Sequence, residues 1–349
     1  MWSKNTFNSS FPVALLLWMH SRGIEPIFVE SDVSNCDLSV VNIPRPAAEV
    51  VKPGTELGEV RFDFEAVYPP FEALLTDEIT KHTKLDVVFA CDAHDQSQNR
   101  PFEVKLTVVP DTTTARKPRD QWSSEIVIRP SSVSSASMSI FMNMKQDNRE
   151  MLKALIKEYR FSNIKDWNVQ DTILNNLENI SDFSRKCLEL ATSTQVPFLL
   201  QPVWGTEGVS LELSVQAFDM FVWTDVALMT MIFYESTGSK SKAVARSNRS
   251  VVRFCKTMVE LLERGAFNYE TIFRDIAFEA QTDKELAISG SKLRRYIKSP
   301  CITERRVSST DIAHIIPNKG IALLKPERRL DQVLVFKFGQ NGNTESEHT

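Results

Sequence analysis

The sequence predicts an α/β (α+β) protein, with a mixed central sheet flanked by helices and a largely helical C-terminal half. Three observations carry this expectation. Residues 58–68, GEVRFDFEAVY, alternate apolar and polar side chains in the manner of a half-buried strand. Residues 85–91 and 102–109 are short apolar runs on either side of a polar loop, the pattern of a hairpin. From Asp147 to Gln195 the apolar residues recur at helical spacing. A chain of 349 residues, 42% hydrophobic and 25% charged, can bury a large core without disulfides or a structural metal.

Along the chain, FPVALLLWM (11–19) reads as a core helix, with Ser10 near its cap, Pro12 in its first turn and Gly23 as its stop. Residues 24–30 read as a short strand and 31–60 as an irregular connection. Residues 69–84, PPFEALLTDEITKHTK, have prolines where a first turn tolerates them and apolar residues at helical spacing, so they predict a helix. A strand follows at 124–130. The serine-crowded stretch SSVSSASMS (131–139) suits either a surface loop or a loop gripping a ligand, and a surface loop is the favoured expectation. Residues 197–204 predict a strand, and 211–223 a strand leading into a helix. Helices run on to about 265 and again over 268–281. GIALLK (320–325) and QVLVFKFG (332–339) predict strands, and the polar last ten residues predict a frayed end. The chain divides at about residue 145, with 146–349 completing the same globular unit as 1–145.

Several functional classes are excluded. No Gly-rich strand-to-helix turn suggests a nucleotide fold. The five cysteines (Cys36, Cys91, Cys187, Cys255, Cys301) have neither zinc-knuckle nor redox spacing and read as buried free thiols. The apolar N-terminal stretch is too short to span a bilayer and lacks the flanks of a signal peptide. A cytoplasmic protein without membrane contact is therefore expected. The net charge is −4, but it is unevenly spread: residues 240–306 carry 15 basic against 8 acidic side chains, while 1–150 carry 15 against 21.

Charges inside the two apolar runs of the hairpin are few: Asp86, Glu103 and Lys105. Side chains alternate faces along a strand, so Glu103 and Lys105 share one face and Val104 takes the other. Antiparallel pairing of 85–91 with 102–109 brings Asp86 alongside them. Two carboxylates, with the Val104 carbonyl, offer the oxygen ligands that Mg²⁺ prefers. Such a cation polarises a scissile phosphate and acidifies a water, and a lysine beside it stabilises developing charge. Burying carboxylates without a partner is expensive, which favours a metal or a local counter-charge. Asp92 and Asp95 are rival first carboxylates, although their place in the loop suits solvated turn residues.

The arrangement D-x(16)-E-V-K, following a predicted helix with Glu72, resembles the PD-(D/E)XK nuclease superfamily. More narrowly, FEVKLTVVPD (102–111) resembles the motif of HindVP-type type II restriction endonucleases. Leu85 stands where the superfamily's name has proline. The resemblance implies a restriction-endonuclease-like sheet, a nuclease core in 1–145 and a helical, DNA-contacting region in 146–349. It implies Asp86, Glu103 and Lys105 as catalytic residues and Asp86, Glu103 and Val104 as Mg²⁺ ligands, with Glu72 and Asp111 as possible additions. It further implies cleavage of double-stranded DNA at a GC-rich palindrome of the GRCGYC type, a homodimer, and a methyltransferase that protects the host site.

A nuclease must also grip a polyanion. The segment 239–256 carries Lys240, Lys242, Arg246, Arg249, Arg253 and Lys256 at spacings that line one side of a helix. A second segment, 291–306, carries Lys292, Arg294, Arg295, Lys298, Arg305 and Arg306, with Tyr296 among them. Both suit phosphate neutralisation, and a solvated helix face is the competing reading of the first. Two other functions stay open at this point: a repair or recombination nuclease with the same core, and a DNA-binding module whose carboxylates serve structure alone.

Overall fold

The structure, a computed structural model, describes residues 27–32, 37–41, 61–77, 84–90, 100–102, 104–106, 125–191, 197–201, 204–207, 210–213, 221–236, 246–278 and 286–289. Over most of the strands it is the backbone path and pairing that are described. The predicted N-terminal helix, the strands at 320–325 and 332–339, and the basic segment 291–306 lie outside the described residues.

Two sheets meet near the predicted hairpin. In the first, β3 (Arg61–Val67), β4 (Lys84–Ala90) and β5 (Arg100–Phe102) are antiparallel in that order. The second has five strands in the order β2 (Asp37–Val41), β1 (Ile27–Asp32), β11 (Phe221–Thr224), β8 (Pro197–Gln201), β6 (Val104–Leu106). Within it β1 runs parallel to β11 and β6 parallel to β8, while the β1–β2 and β11–β8 pairs are antiparallel. β5 and β6 are separated in the chain by Glu103 alone. The run read from sequence as one strand is thus shared between two sheets. β2 falls inside the stretch expected to be irregular. Two further pairs complete the strands among the described residues: β9 (Trp204–Glu207) with β10 (Ser210–Leu213), and β7 (Glu125–Ile128) with β12 (Leu286–Ser289).

The helices pack around one apolar core. α1 (Pro69–Glu72) is a single turn rather than the long helix that 69–84 predicts. The backbone beyond it is diverted: Phe267 N–H donates to Leu74 O at 2.9 Å, and Thr76 N–H donates to Phe267 O at 3.0 Å. Asp77 Oδ1 also accepts a bond from Tyr269 N–H at 2.9 Å. Thr76 N–H and Leu74 O are thus paired with Phe267 rather than with helical partners, so the helix stops.

The serine run is helical and interior, against the expectation of a surface loop. α2 (Pro130–Met142) has Pro130 in its first turn, and Ser132 through Phe141 are buried. Ser137 Oγ bonds back to Val133 O at 2.8 Å, whereas the buried hydroxyls of Ser132, Ser134 and Ser139 make no hydrogen bond among the described residues. The small side chain of serine lets neighbouring helices approach closely.

α3 (Gln146–Glu158) and α4 (Gln170–Leu190) follow, with a 3-10 turn at Phe161–Asn163 between them. α5 (Asp225–Ser236) is apolar almost all round and correspondingly buried. α6 (Arg246–Arg264) contacts α2, α4 and α5 and ends at Gly265, whose φ of +77° is the left-handed turn that stops a helix. The expected helix at 268–281 is instead a π-helical segment, Glu270–Asp275. Cys187 and Cys255 are buried free thiols, as the cysteine spacing predicts. Among the described residues no helix is long and apolar enough to cross a membrane.

Candidate active site

β4 positions Asp86. The strand is bracketed on one side by the pairs Phe64↔Val87 and Ala66↔Leu85, and on the other Val87 stands opposite Phe102. The rows through Phe64, Val87 and Phe102, and through Phe62 and Phe89, are apolar apart from Arg100 at the edge. Period-two alternation assigns Asp86 to the other face of this sheet from Val87. An apolar row beneath a polar one explains why the run reads as buried strand while still carrying an acid.

Lys105 and Val104 lie on β6, where Val104 is level with Leu199 and Lys105 with Leu200 of parallel β8. The antiparallel hairpin expected from sequence is present as the β4–β5 pair, and Lys105 follows it on the strand that enters the second sheet. Glu103, between the two, lies outside the described residues, as do Asp111 and the rival carboxylates Asp92 and Asp95. Glu72 is the last residue of α1 and is partly exposed. Among the described side chains no three of His, Cys, Asp or Glu gather as metal ligands. The side chains of Asp86, Glu103 and Lys105 are not in that set.

The basic residues of α6 divide by environment. Arg246, at its first position, is exposed. Arg249 is only 7% exposed, and burial, then the nearby charge of Arg246, pushes its guanidinium below the usual arginine range. Arg253 is 4% exposed; its Nε–H donates to Ile276 O at 2.8 Å and its guanidinium lies 5.9 Å from the Phe273 ring centre. Burial, followed by the charge of Arg249, lowers the Arg253 guanidinium to about 10. Lys256 Nζ contacts Glu260 Oε1 at 2.6 Å and sits 5.3 Å from the Trp167 ring. Lys240, Lys242, Lys292, Arg294, Arg295, Lys298, Arg305 and Arg306 lie outside the described residues. Sequence spacing put these α6 cations on one side of a helix but could not say whether that side faces water.

The match that decides the family spans nearly the whole chain: residues 2–339 fit the model of the HindVP restriction endonucleases. The chain belongs to the HindVP restriction endonuclease family. This bears out the resemblance carried by FEVKLTVVPD and makes the protein an endonuclease by class. Among its relatives is the type II restriction enzyme HgiDI of Herpetosiphon aurantiacus, 31% identical over 338 residues, 97% of this chain and 91% of the relative. Another is the probable type II restriction enzyme HindVP of Haemophilus influenzae, 28% identical over 334 residues, 95% of this chain and 87% of the relative. No solved structure matches the chain.

Proposed function

We propose that this HindVP-family protein is a Mg²⁺-dependent type II restriction endonuclease that cleaves double-stranded DNA at a short GC-rich palindrome of the GRCGYC type. In this reading it acts as a homodimer in the cytoplasm, beside a methyltransferase that protects the host site. The observation that supports the reading is that β4, the strand of Asp86, pairs with β5, while the sequence runs on from β5 through Glu103 to the strand of Lys105, β6. We read the two sheets as one restriction-endonuclease-like mixed sheet continued through 100–106, with 1–145 as the nuclease core and 146–349 as the DNA-contacting region.

Val87, next after Asp86, stands opposite Phe102, and Glu103 follows Phe102 in the sequence, which supports a shared site for the two acids. Asp86 and Glu103, with the Val104 carbonyl, form an all-oxygen donor set, and such a set fits a hard divalent cation. When bound, Mg²⁺ would supply Lewis-acid polarisation of the scissile phosphate and a lowered pKa for water. Lys105 orients the attacking water and stabilises the charge that develops on the phosphoryl oxygens. Water attacks phosphorus in line with the leaving oxygen, giving a 5′-phosphate and a 3′-hydroxyl. Glu72 and Asp111 are further candidates for holding the cation through water. Phosphates of the bound duplex are met by the basic segments 239–256 and 291–306.

A plasmid digest tests this. Discrete fragments with Mg²⁺ and none with EDTA are expected, and sequencing the ends gives the site and stagger. Lys105→Ala should abolish cleavage while leaving DNA binding nearly unchanged. Full cleavage by that variant would remove Lys105 from the mechanism, and smears or end-dependent loss from the wild type would point to a repair nuclease.

A further inference from the structure

We propose that the N-terminus of α6 holds a small oxyanion of the phosphate type, clamped by the Arg249 guanidinium with Arg246 at the open end, independently of the nuclease reading above. Two anomalies of the helix point there. The first is Arg249 itself. It is 7% exposed, and its Nε has no hydrogen-bond partner among the described residues. The neighbouring charge that acts on it is that of Arg246, which has the same sign. Buried charges are ordinarily paired, so a guanidinium in these surroundings calls for an anion.

The second anomaly is the order of charge along the helix. α6 is 19 residues long, and its first turn carries Arg246 and Arg249 and no acid. The first N–H groups of a helix have no partners within it and carry partial positive charge. Cations are favoured at the opposite end, so two arginines here add to the positive end instead of offsetting it. Among the described residues, the backbone N–H groups of Arg246, Ser247 and Asn248 donate to no acceptor outside the helix.

Both anomalies converge on one spot. Long side chains on a helix lean toward its N-terminus. That carries the Arg249 guanidinium back over the first turn, where the charge of Arg246 reaches it. Ser247 and Asn248 are buried beside Arg249, while Arg246 is exposed, so the turn is sheltered on one side and open to solvent at its start. Ser247 Oγ donates to Glu235 O at 3.3 Å, which ties this turn to the end of α5. A planar guanidinium meets two oxygens of a phosphate or sulfate at once, and helix N–H groups take the others. The shelter around Arg249 suits an anion of a few atoms rather than the backbone of a duplex. An oxyanion there neutralises the buried cation and the helix end together.

The test uses the full-length protein without DNA, in Tris chloride with EDTA, melted across a titration of inorganic phosphate at constant ionic strength set with sodium chloride. Wild type should gain stability from phosphate beyond the chloride control. Arg249→Met removes the clamp and the buried charge together. It should melt at or above wild type without phosphate, and its phosphate affinity, read from the rise of Tm, should fall about tenfold or more. Lys153→Ala, which removes an exposed cation of α3, should keep the wild-type response. If Arg249→Met does not fold, Arg249→Lys is used; it keeps the charge, gives up the two-pronged fork and should bind phosphate several times more weakly. A wild type that gains nothing beyond chloride, or an Arg249 variant with wild-type phosphate affinity, overturns the site. Loss of the response in Lys153→Ala marks a diffuse charge effect and overturns it too. The source of the oxyanion is read from duplex binding in EDTA, where Arg249→Met should keep the wild-type salt slope. A slope flatter by about 0.9 would give Arg249 to a DNA phosphate and overturn the free-anion reading.

Discussion

Phe183→Ala is the sharpest test of how the helical half is held together. Phe183 has no solvent exposure on α4, and its ring meets Phe161 edge-on at 5.3 Å and 81°. Phe161, itself 1% exposed, also lies 5.8 Å from Trp167 and 5.6 Å from Tyr159, ring centre to ring centre. Truncation removes a buried benzyl group and leaves a cavity among side chains that are fixed on three sides. The expected cost is about 3–5 kcal/mol, of which roughly 1 kcal/mol is the lost edge-to-face contact. Phe183→Leu keeps most of the volume and should cost roughly 1–2 kcal/mol. Urea unfolding, followed by tryptophan fluorescence and far-UV circular dichroism, measures both. Against a total stability of about 5–15 kcal/mol the alanine loss is large, so retained DNA cleavage is expected of Phe183→Leu, measured well below its midpoint. A loss smaller than about 1 kcal/mol would refute the packing argument, since that is the range of an ordinary surface substitution.

Two further outcomes follow from the same helices. Tyr159 donates to Asp182 Oδ2 at 2.5 Å, and that bond, with burial and the charge of Asp182, pushes the phenol up to about 12. Because the folded value is raised, its contribution is fully present below the ordinary tyrosine pKa and is lost as pH rises through about 12. Tyr159→Phe should therefore cost about 1 kcal/mol at neutral pH, the pair being largely solvated, and should remove that alkaline fall in a pH series of urea midpoints. Gly265→Ala should cost about 1 kcal/mol from the left-handed backbone alone, since φ is +77° and a Cβ there meets nothing within 4 Å. A thermal melt that matches wild type would show that the helix end relaxes.

What was legible in the sequence is what local pattern controls. Strict alternation places β3 at Arg61–Val67 against the 58–68 expected, and an apolar run with one misplaced acid places β4 at Lys84–Ala90 against 85–91. The motif FEVKLTVVPD led to the family that the whole-chain match then showed. The failures occur where partners distant in sequence decide. The helix expected over 69–84 ends at Glu72 because Phe267, nearly two hundred residues on, captures the backbone of Leu74 and Thr76, and Tyr269 N–H the Asp77 carboxylate. The serines of α2 read as loop because polar composition suggests a surface position, and nothing local in 131–139 says that this helix is packed inside the core. The run 102–109 read as one strand because no local signal marks where a chain leaves one sheet for another.

The buried arginines of α6 bear on how DNA binding should respond to salt. The segment 239–256 carries six cations, and sequence alone would let all of them neutralise phosphates. Arg249 and Arg253 are desolvated, and Arg253 Nε is committed to Ile276 O. Lys256 is held by Glu260 and stacks near Trp167. Arg246 is exposed, and Lys240 and Lys242 lie outside the described residues, so three cations are the most this segment is expected to offer. The slope of log K against log salt changes by about 0.9 per phosphate neutralised, so replacing Lys240, Lys242 and Arg246 with alanine should flatten it by about 2.7. Arg249→Met and Arg253→Met should leave the slope unchanged and act on the melting temperature instead, because a buried charge that never meets phosphate releases no counterion. Fluorescence anisotropy on a cognate duplex in EDTA, over a series of salt concentrations, measures the slope without cleavage. A flattening of about one unit for each buried arginine would show that α6 turns those side chains outward on binding DNA, and would return them to the interface.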